Sequence, residues 1–444
     1  MSALDGPSGM PPAPAERAGT ALTTAERRIL DALDEQAMTA LLVDLVRVPS
    51  VTGSDAESSL QHDLGRLLIA EGLDVDAWAV DLEALRADPQ FPGSEAERTE
   101  AYGLVGVLPG RSAPDEPALV LQGHVDVVPV GDRTAWAHDP YGASVVGRVL
   151  HGRGACDMKA GVAVNLAVVR AVRCSGVVLE RPLALHSVVG EEDGGLGAFA
   201  TLRRGHGGAA AVITEPTSGR LVTAAAGALT FELAVPGLAA HGSTRREGHS
   251  AIDAYLPLHT ALAALEARRN LDVDPRFTDH PLPYPISVGI LRSGDWASTV
   301  PDTLVAQGRF GVRLGEDVHT ARADFETAVA DAARADPWLH EHPPVVTWPG
   351  GQFASGELAP GHPLAREVQQ ACLDTGGPAP RPAAAPYGSD LRLYAGIGGI
   401  PTLHYGPGDV RDAHSPHERV DLDEVVAVAR ALALLAARRC EAHL

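Results

Sequence analysis

At least four apolar runs of strand length in this chain stop at a side chain that can hold a metal or move a proton. In LQGHVDVVP a strand runs into His124 and Asp126. Residues two apart on a strand share a face, so the Asp126 carboxylate can accept the second ring N–H of a metal-binding His124. In HGRGACDMKAG, Gly152 and Gly154 bend the chain before Asp157 and a helix follows. A carboxylate at such a turn sits at the end of a parallel sheet, where α/β proteins bind their ligands. SVVGEEDGGLGA places Glu191 and Glu192 after a buried strand, and adjacent carboxylates repel there unless a cation or a shared proton settles the charge. AVITEPTSG adds Glu215, and PGDVRDAHSPHERVD offers His414, His417 and Glu418. Singly these are ordinary solvated loops. Gathered at one edge of a sheet, they form a metal-competent constellation. The glycines around Gly152 and Gly194 complete no G-x-G-x-x-G between a strand and a helix, which argues against a dinucleotide site.

For those ends to converge, strands must alternate with helices. The run from Thr23 to Pro49 reads as a capped helix, and Ser58 to Glu71 as a second. Gly103–Leu108, Ala118–Leu121, Leu183–Val189 and Ala210–Ile213 read as buried strands, with a helix at Gly161–Arg173. The fold class is α/β with a mostly parallel sheet. The middle of the chain changes character. Its order of strand, helix, strand, strand, helix, strand is that of a ferredoxin-like α+β unit. The expected organisation is a disordered segment over 1–20, a catalytic domain over 21–220 and 352–444, and an inserted domain over 221–351. A long helix at Asp423–Arg439 closes the pattern.

Composition narrows the function. A formal net charge of −21 repels phosphate backbones and anionic membranes, so neither nucleic acid nor membrane is an expected partner. No apolar stretch reaches the ~18 residues of a membrane span. Four unpaired cysteines and a first segment without a basic start or apolar stretch point to the cytoplasm. Lys159 is the sole lysine among 36 basic residues. It marks either a cramped polar site that rejects a guanidinium fork or chance retention.

The segments GHVDVVP, GRGACDMKAG, GEED, TEP and AHSPHERV resemble, in order and spacing, those of the co-catalytic zinc peptidases. That family includes carboxypeptidase G, succinyl-diaminopimelate desuccinylase, acetylornithine deacetylase and aminoacylase. The resemblance runs from about Leu41 to Ala437. It implies two divalent metal ions, zinc with cobalt or manganese as substitutes, bridged by Asp157. His124 and Glu215 would complete one site, Glu192 and His414 the other. It implies Glu191 as general base and Asp126 as the residue that orients His124. PGLAAHGSTRREG resembles a dimerisation segment, so His241 would reach the active site of a second subunit in a homodimer and stabilise the tetrahedral oxyanion there. Arg313 occupies the place of an arginine that binds substrate carboxylate, although Gly311 stands where the family has an acid. Gly388 matches a substrate-side loop. Cys156 is expected to pack rather than ligate.

The implied reaction is hydrolysis of the amide bond of a small N-acyl amino acid or related acylated substrate. Two enzymatic alternatives are a formylaminopyrimidine deformylase-like amidohydrolase, suggested by ADPWLHEHPPVVTWPGG and YGPGDVRDAHS, and a metallodipeptidase or carboxypeptidase. An inactive binding paralogue is the remote alternative, and the intact set of ligands and base argues against it.

Overall fold

The computed structural model describes residues 21–112 and 116–444. The segment expected to be disordered, 1–20, lies outside the described residues. Strand Leu119–His124 is buried along its whole length, between parallel neighbours Leu183–Val188 and Ala211–Ile213. Continuous rather than alternating burial is what a strand covered on both faces requires. Thr402–His404 extends the parallel core beside Ala211–Ile213. Antiparallel strands Asp74–Ala79 and Tyr102–Leu108 flank one side, and Leu221–Ala225 continues the other. The result is a nine-stranded mixed sheet whose central strands run parallel.

Helices Ala160–Cys174 and Leu422–Arg439 pack together against this sheet, both apolar over most of their surface. Gly161 permits the close approach, because a Cβ there would stand 2.2 Å from the Thr214 carbonyl oxygen. The helix beginning at Ala160 is thereby seated against the strand end that carries Glu215. The expected single N-terminal helix is two, Thr24–Asp31 and Glu35–Arg47. Asp34 interrupts it by accepting the Ala37 N–H at 2.9 Å and capping the second helix.

The second sheet holds Ile286–Ser293, Thr303–Val312, Gly227–Pro236 and Val345–Thr347 in that order, with Gln352–Phe353 also paired to Gly227–Pro236. Helices Ala251–Arg269 and Val318–Ala335 cover one of its faces. At the two ends of the middle segment, Leu221–Ala225 hydrogen-bonds in the large sheet and Gln352–Phe353 in the small one. Five buried residues run from Leu221 to Ala225 with Gly227–Pro236 close behind, which hid the passage between sheets.

Candidate active site

Three neighbouring parallel strands deliver most of the chemistry. His124 is the last residue of its strand and fully buried. Glu191 and Glu192 lie in the turn after Leu183–Val188, and Glu215 lies two residues past Ala211–Ile213. Asp157 arrives differently from expectation. The strand before it, Val149–His151, belongs to a separate three-stranded antiparallel sheet with Ser144–Val146 and Arg419–Asp421, not to the parallel sheet. Its backbone is fixed by Glu418, whose Oε1 accepts the N–H groups of Cys156 and Asp157, each at 3.3 Å. Arg153 in turn holds the buried Glu418 carboxylate.

The donors form two groups that share one carboxylate. Nε2 of His124 lies 3.1 Å from Asp157 Oδ1 and 3.6 Å from Glu215 Oε1. Nε2 of His414 lies 3.5 Å from Asp157 Oδ2 and 3.0 Å from Glu192 Oε2. In each group the potential ligand atoms lie within 4.8 Å of one another. His414 adopts φ of 58°, a left-handed backbone that a non-glycine residue keeps only when its surroundings enforce it.

Charge in this region calls for cations. Burial, then the Asp390 and Glu215 carboxylates, push Glu191 well above its usual range. Burial also lifts Glu215 far up, against the pull of His124. Burial would raise Asp157 too, but hydrogen bonds from His124 and His414 outweigh it and hold that carboxyl low. Two imidazoles face several buried acids, and divalent ions would relieve the imbalance. Nitrogen and oxygen donors fit such ions. The Cys156 thiol supplies nothing, being buried with Sγ 3.7 Å from the Asp409 carbonyl oxygen.

Asp126 does more than orient His124. Its carboxylate lies 3.5 Å from His124 Nδ1, but its own carbonyl oxygen is nearer, at 3.0 Å. The carboxylate accepts the backbone N–H groups of Glu191 and Glu192, each at 3.2 Å, and the Thr52 hydroxyl at 3.0 Å. One buried acid therefore sets both the first histidine and the turn bearing the paired glutamates.

These groups open into a cavity of ≈550 Å³ lined by Glu191, Glu192 and Glu215 from the ends of the large sheet's strands, by Asp157 and His414 from segments beside it, and by Thr230, Gln307 and Arg309 from the small sheet. Gly388 lines it as well. A Cβ there would lie 2.3 Å from Cβ of Phe353, so packing requires glycine. Arg313 is not among the lining residues. It follows the end of strand Thr303–Val312, where its N–H donates to Glu316, and it borders a smaller cavity on the inserted unit with Arg268 and Arg269. Arg309, still within the strand, reaches the cleft instead. His241 does not line the cavity either. It is exposed, with Nδ1 2.7 Å from Ser243 Oγ. His417 is exposed and outside the cavity, and Lys159 is buried, its ammonium donating to the carbonyls of Leu45 at 2.9 Å and Val48 at 2.7 Å. The lone lysine thus ties down the end of helix Glu35–Arg47.

Fold and donor set define a metal-dependent hydrolase of linear amide bonds. The family described as Peptidase family M20/M25/M40 matches residues 120–438, and the chain belongs to it. It is 28% identical over 390 residues to N-formyl-4-amino-5-aminomethyl-2-methylpyrimidine deformylase of Bacillus subtilis, covering 80% of this chain and 83% of that one. It is 28% identical over 391 residues to succinyl-diaminopimelate desuccinylase of Phenylobacterium zucineum, covering 82% and 98%. Its fold is similar to that of the di-peptidase Dug1p from Saccharomyces cerevisiae, with a TM-score of 0.71, 15% identity, and coverage of 94% and 98%. Among the described residues no helix is long and apolar enough to cross a membrane.

Proposed function

We propose that this chain is a two-metal deacylase that releases a carboxylate and an amine from a small N-acylated substrate. The observation that carries the reading is the division of the Asp157 carboxylate between two imidazoles, Oδ1 toward His124 and Oδ2 toward His414, in the cavity that Glu191 lines. His124, Asp157 and Glu215 would hold one ion, and Asp157, Glu192 and His414 the other. Two divalent ions, zinc by preference and cobalt or manganese as substitutes, supply Lewis acidity to the scissile carbonyl and acidify water. Glu191 takes the proton from the attacking water and returns it to the leaving amine. Asp126 keeps that base in place through the backbone of the glutamate turn.

Arg309 takes the carboxylate-binding role expected of Arg313, since a guanidinium on the cleft wall can meet a carboxylate in two parallel hydrogen bonds. Gly388, whose missing side chain makes way for Phe353, offers its backbone to the substrate on the cavity wall. The active unit is a homodimer in which His241 serves the neighbouring site. Exposed Ile252 and Leu256 on helix Ala251–Arg269, with Ile290 and Leu291 on edge strand Ile286–Ser293, support a pairing surface. The unpaired cysteines Cys156, Cys174, Cys372 and Cys440 support a cytoplasmic location.

A formamide substrate is the second reading, supported by the likeness to the deformylase. Formyl, acetyl and succinyl amides and dipeptides offered to metal-loaded protein separate the two. Turnover of acetyl or succinyl amino acids is the expected result. Turnover of the formamide alone moves the assignment to the second reading, and inertness toward the whole panel contradicts both.

A further inference from the structure

Outside the metal donors and Glu191, the described lining of the cavity presents one more acid, Glu95, and one guanidinium, Arg309. Glu95 comes from an irregular loop of the large domain, and that loop is held rigidly. The backbone N–H groups of Glu95 and Ala96 donate to Asp193 Oδ2 at 3.1 and 2.8 Å, and Asp193 follows Glu192 directly. Arg98, buried, grips the same Asp193 carboxylate at 3.1 Å. On the other side, the Gln352 N–H donates to the Pro92 carbonyl at 2.8 Å.

The side chain is fixed as well, and only half used. Oε1 of Glu95 accepts the Thr230 hydroxyl at 3.0 Å and the Gly351 N–H at 3.4 Å. Gly350 lies so close that a Cβ would stand 2.7 Å from the same oxygen. Oε2 has no donor among the described residues. Arg309, on the same cavity, has no ion pair among them either. Opposite charges that share a cavity without pairing leave both free for a ligand.

We propose that Glu95 reads a hydrogen-donating nitrogen, an ammonium or a ring-bound amine, on the part of the substrate remote from the scissile amide. This rests on the deacylase reading of the cleft and names its substrate class, N-acylated compounds carrying a second, basic or amino nitrogen. A carboxylate oxygen held by two donors on its partner atom accepts such a group without rearrangement. Because the loop bearing Glu95 is tied through Asp193 to the turn of Glu191 and Glu192, the nitrogen is read at a fixed distance from the base.

Two matched pairs test this on metal-loaded protein. Nα-acetyl-lysine against Nα-acetyl-norleucine isolates an ammonium, and a formylated aminomethylpyrimidine with and without its ring amine isolates the heteroaryl source. In at least one pair the wild type should favour the nitrogen-bearing member by about tenfold or more in kcat/KM, the scale of one charge-assisted hydrogen bond. Glu95→Gln should bring that ratio toward one, because the amide would keep its oxygen on Thr230 and Gly351 and turn its own donors to the cavity. Thr230→Val removes one of the two donors that hold Glu95 and should lower the ratio, though less than Glu95→Gln does. Equal treatment of both members of each pair by the wild type, or an equal change in both on Glu95→Gln, overturns the proposal. Calorimetric binding of lysine against norleucine, and of the two deformylated amines, reads the same ratio without turnover. Selective binding that depends on Glu95, in a protein that cleaves none of the four amides, would contradict the deacylase reading and leave this one standing.

Discussion

The nine-stranded and five-stranded sheets supply the cleft in different ways. In the large sheet, the side chains that converge stand at or just beyond the ends of buried parallel strands, each fixed by neighbours on both sides. In the small sheet, Thr230, Gln307 and Arg309 lie along an open face whose opposite side carries the apolar core. Strand ends fix position in a buried setting and suit groups that must hold ions and move a proton. A sheet face offers several residues at regular spacing, partly wet, and suits recognition. On the proposed reading the large sheet carries the metal donors and base and the small sheet Arg309, so the one can be disturbed without the other.

The largest effect should come from the strand ends. Glu191→Gln is expected to lower kcat by about 10²- to 10⁴-fold while bound metal, measured by elemental analysis, stays constant. A variant that lost metal and rate together would merge the base with the ligand set. The next effect is expected from the contribution proposed for His241 across a subunit boundary. His241→Ala should cost about 10²- to 10³-fold, the scale of one lost oxyanion donor. Mixing it with Glu191→Gln subunits should restore activity, since one site of each mixed dimer then holds both an intact base and an intact histidine. No recovery despite subunit exchange seen by mass spectrometry would confine His241 to its own chain or to no role. The smallest effect belongs to the sheet face. Arg309→Ala should raise KM for a carboxylate-bearing substrate by about 10- to 10²-fold with kcat nearly unchanged, the pattern of lost uniform binding. Arg313→Ala should leave KM where it was, and the reverse pattern would return the role to Arg313.

The same contrast decides what could be read in the sequence. His124, Glu191, Glu192 and Glu215 announce themselves because a buried strand is a continuous apolar run and a charged residue at its end is conspicuous. Six elements of the inserted unit were legible for a related reason, alternation in Gly227–Pro236 and helical spacing in Val318–Ala335, while the two-residue strand Gln352–Phe353 was too short to read. Arg309 and Arg313 differ by four positions and so share a strand face in sequence. Only the end of pairing at Val312 separates the one in the cleft from the one whose backbone N–H donates to Glu316. Glu95 gave no signal, because it sits in an irregular loop whose shape depends on Asp193 and on the linker at Gly350–Gly351. Glu418 was visible as a candidate, but its role as anchor for the Asp157 backbone depends on a contact 261 residues away in sequence.

The central claim is that one carboxylate joins two metal sites. Titration of the chelated protein with zinc, followed by calorimetry and by turnover in the same samples, tests it most directly. The account predicts two equivalents bound per chain, activity absent before addition and restored on filling both, and loss of both equivalents in Asp157→Ala. Full activity after exhaustive metal removal, or two equivalents retained by Asp157→Ala, would contradict it.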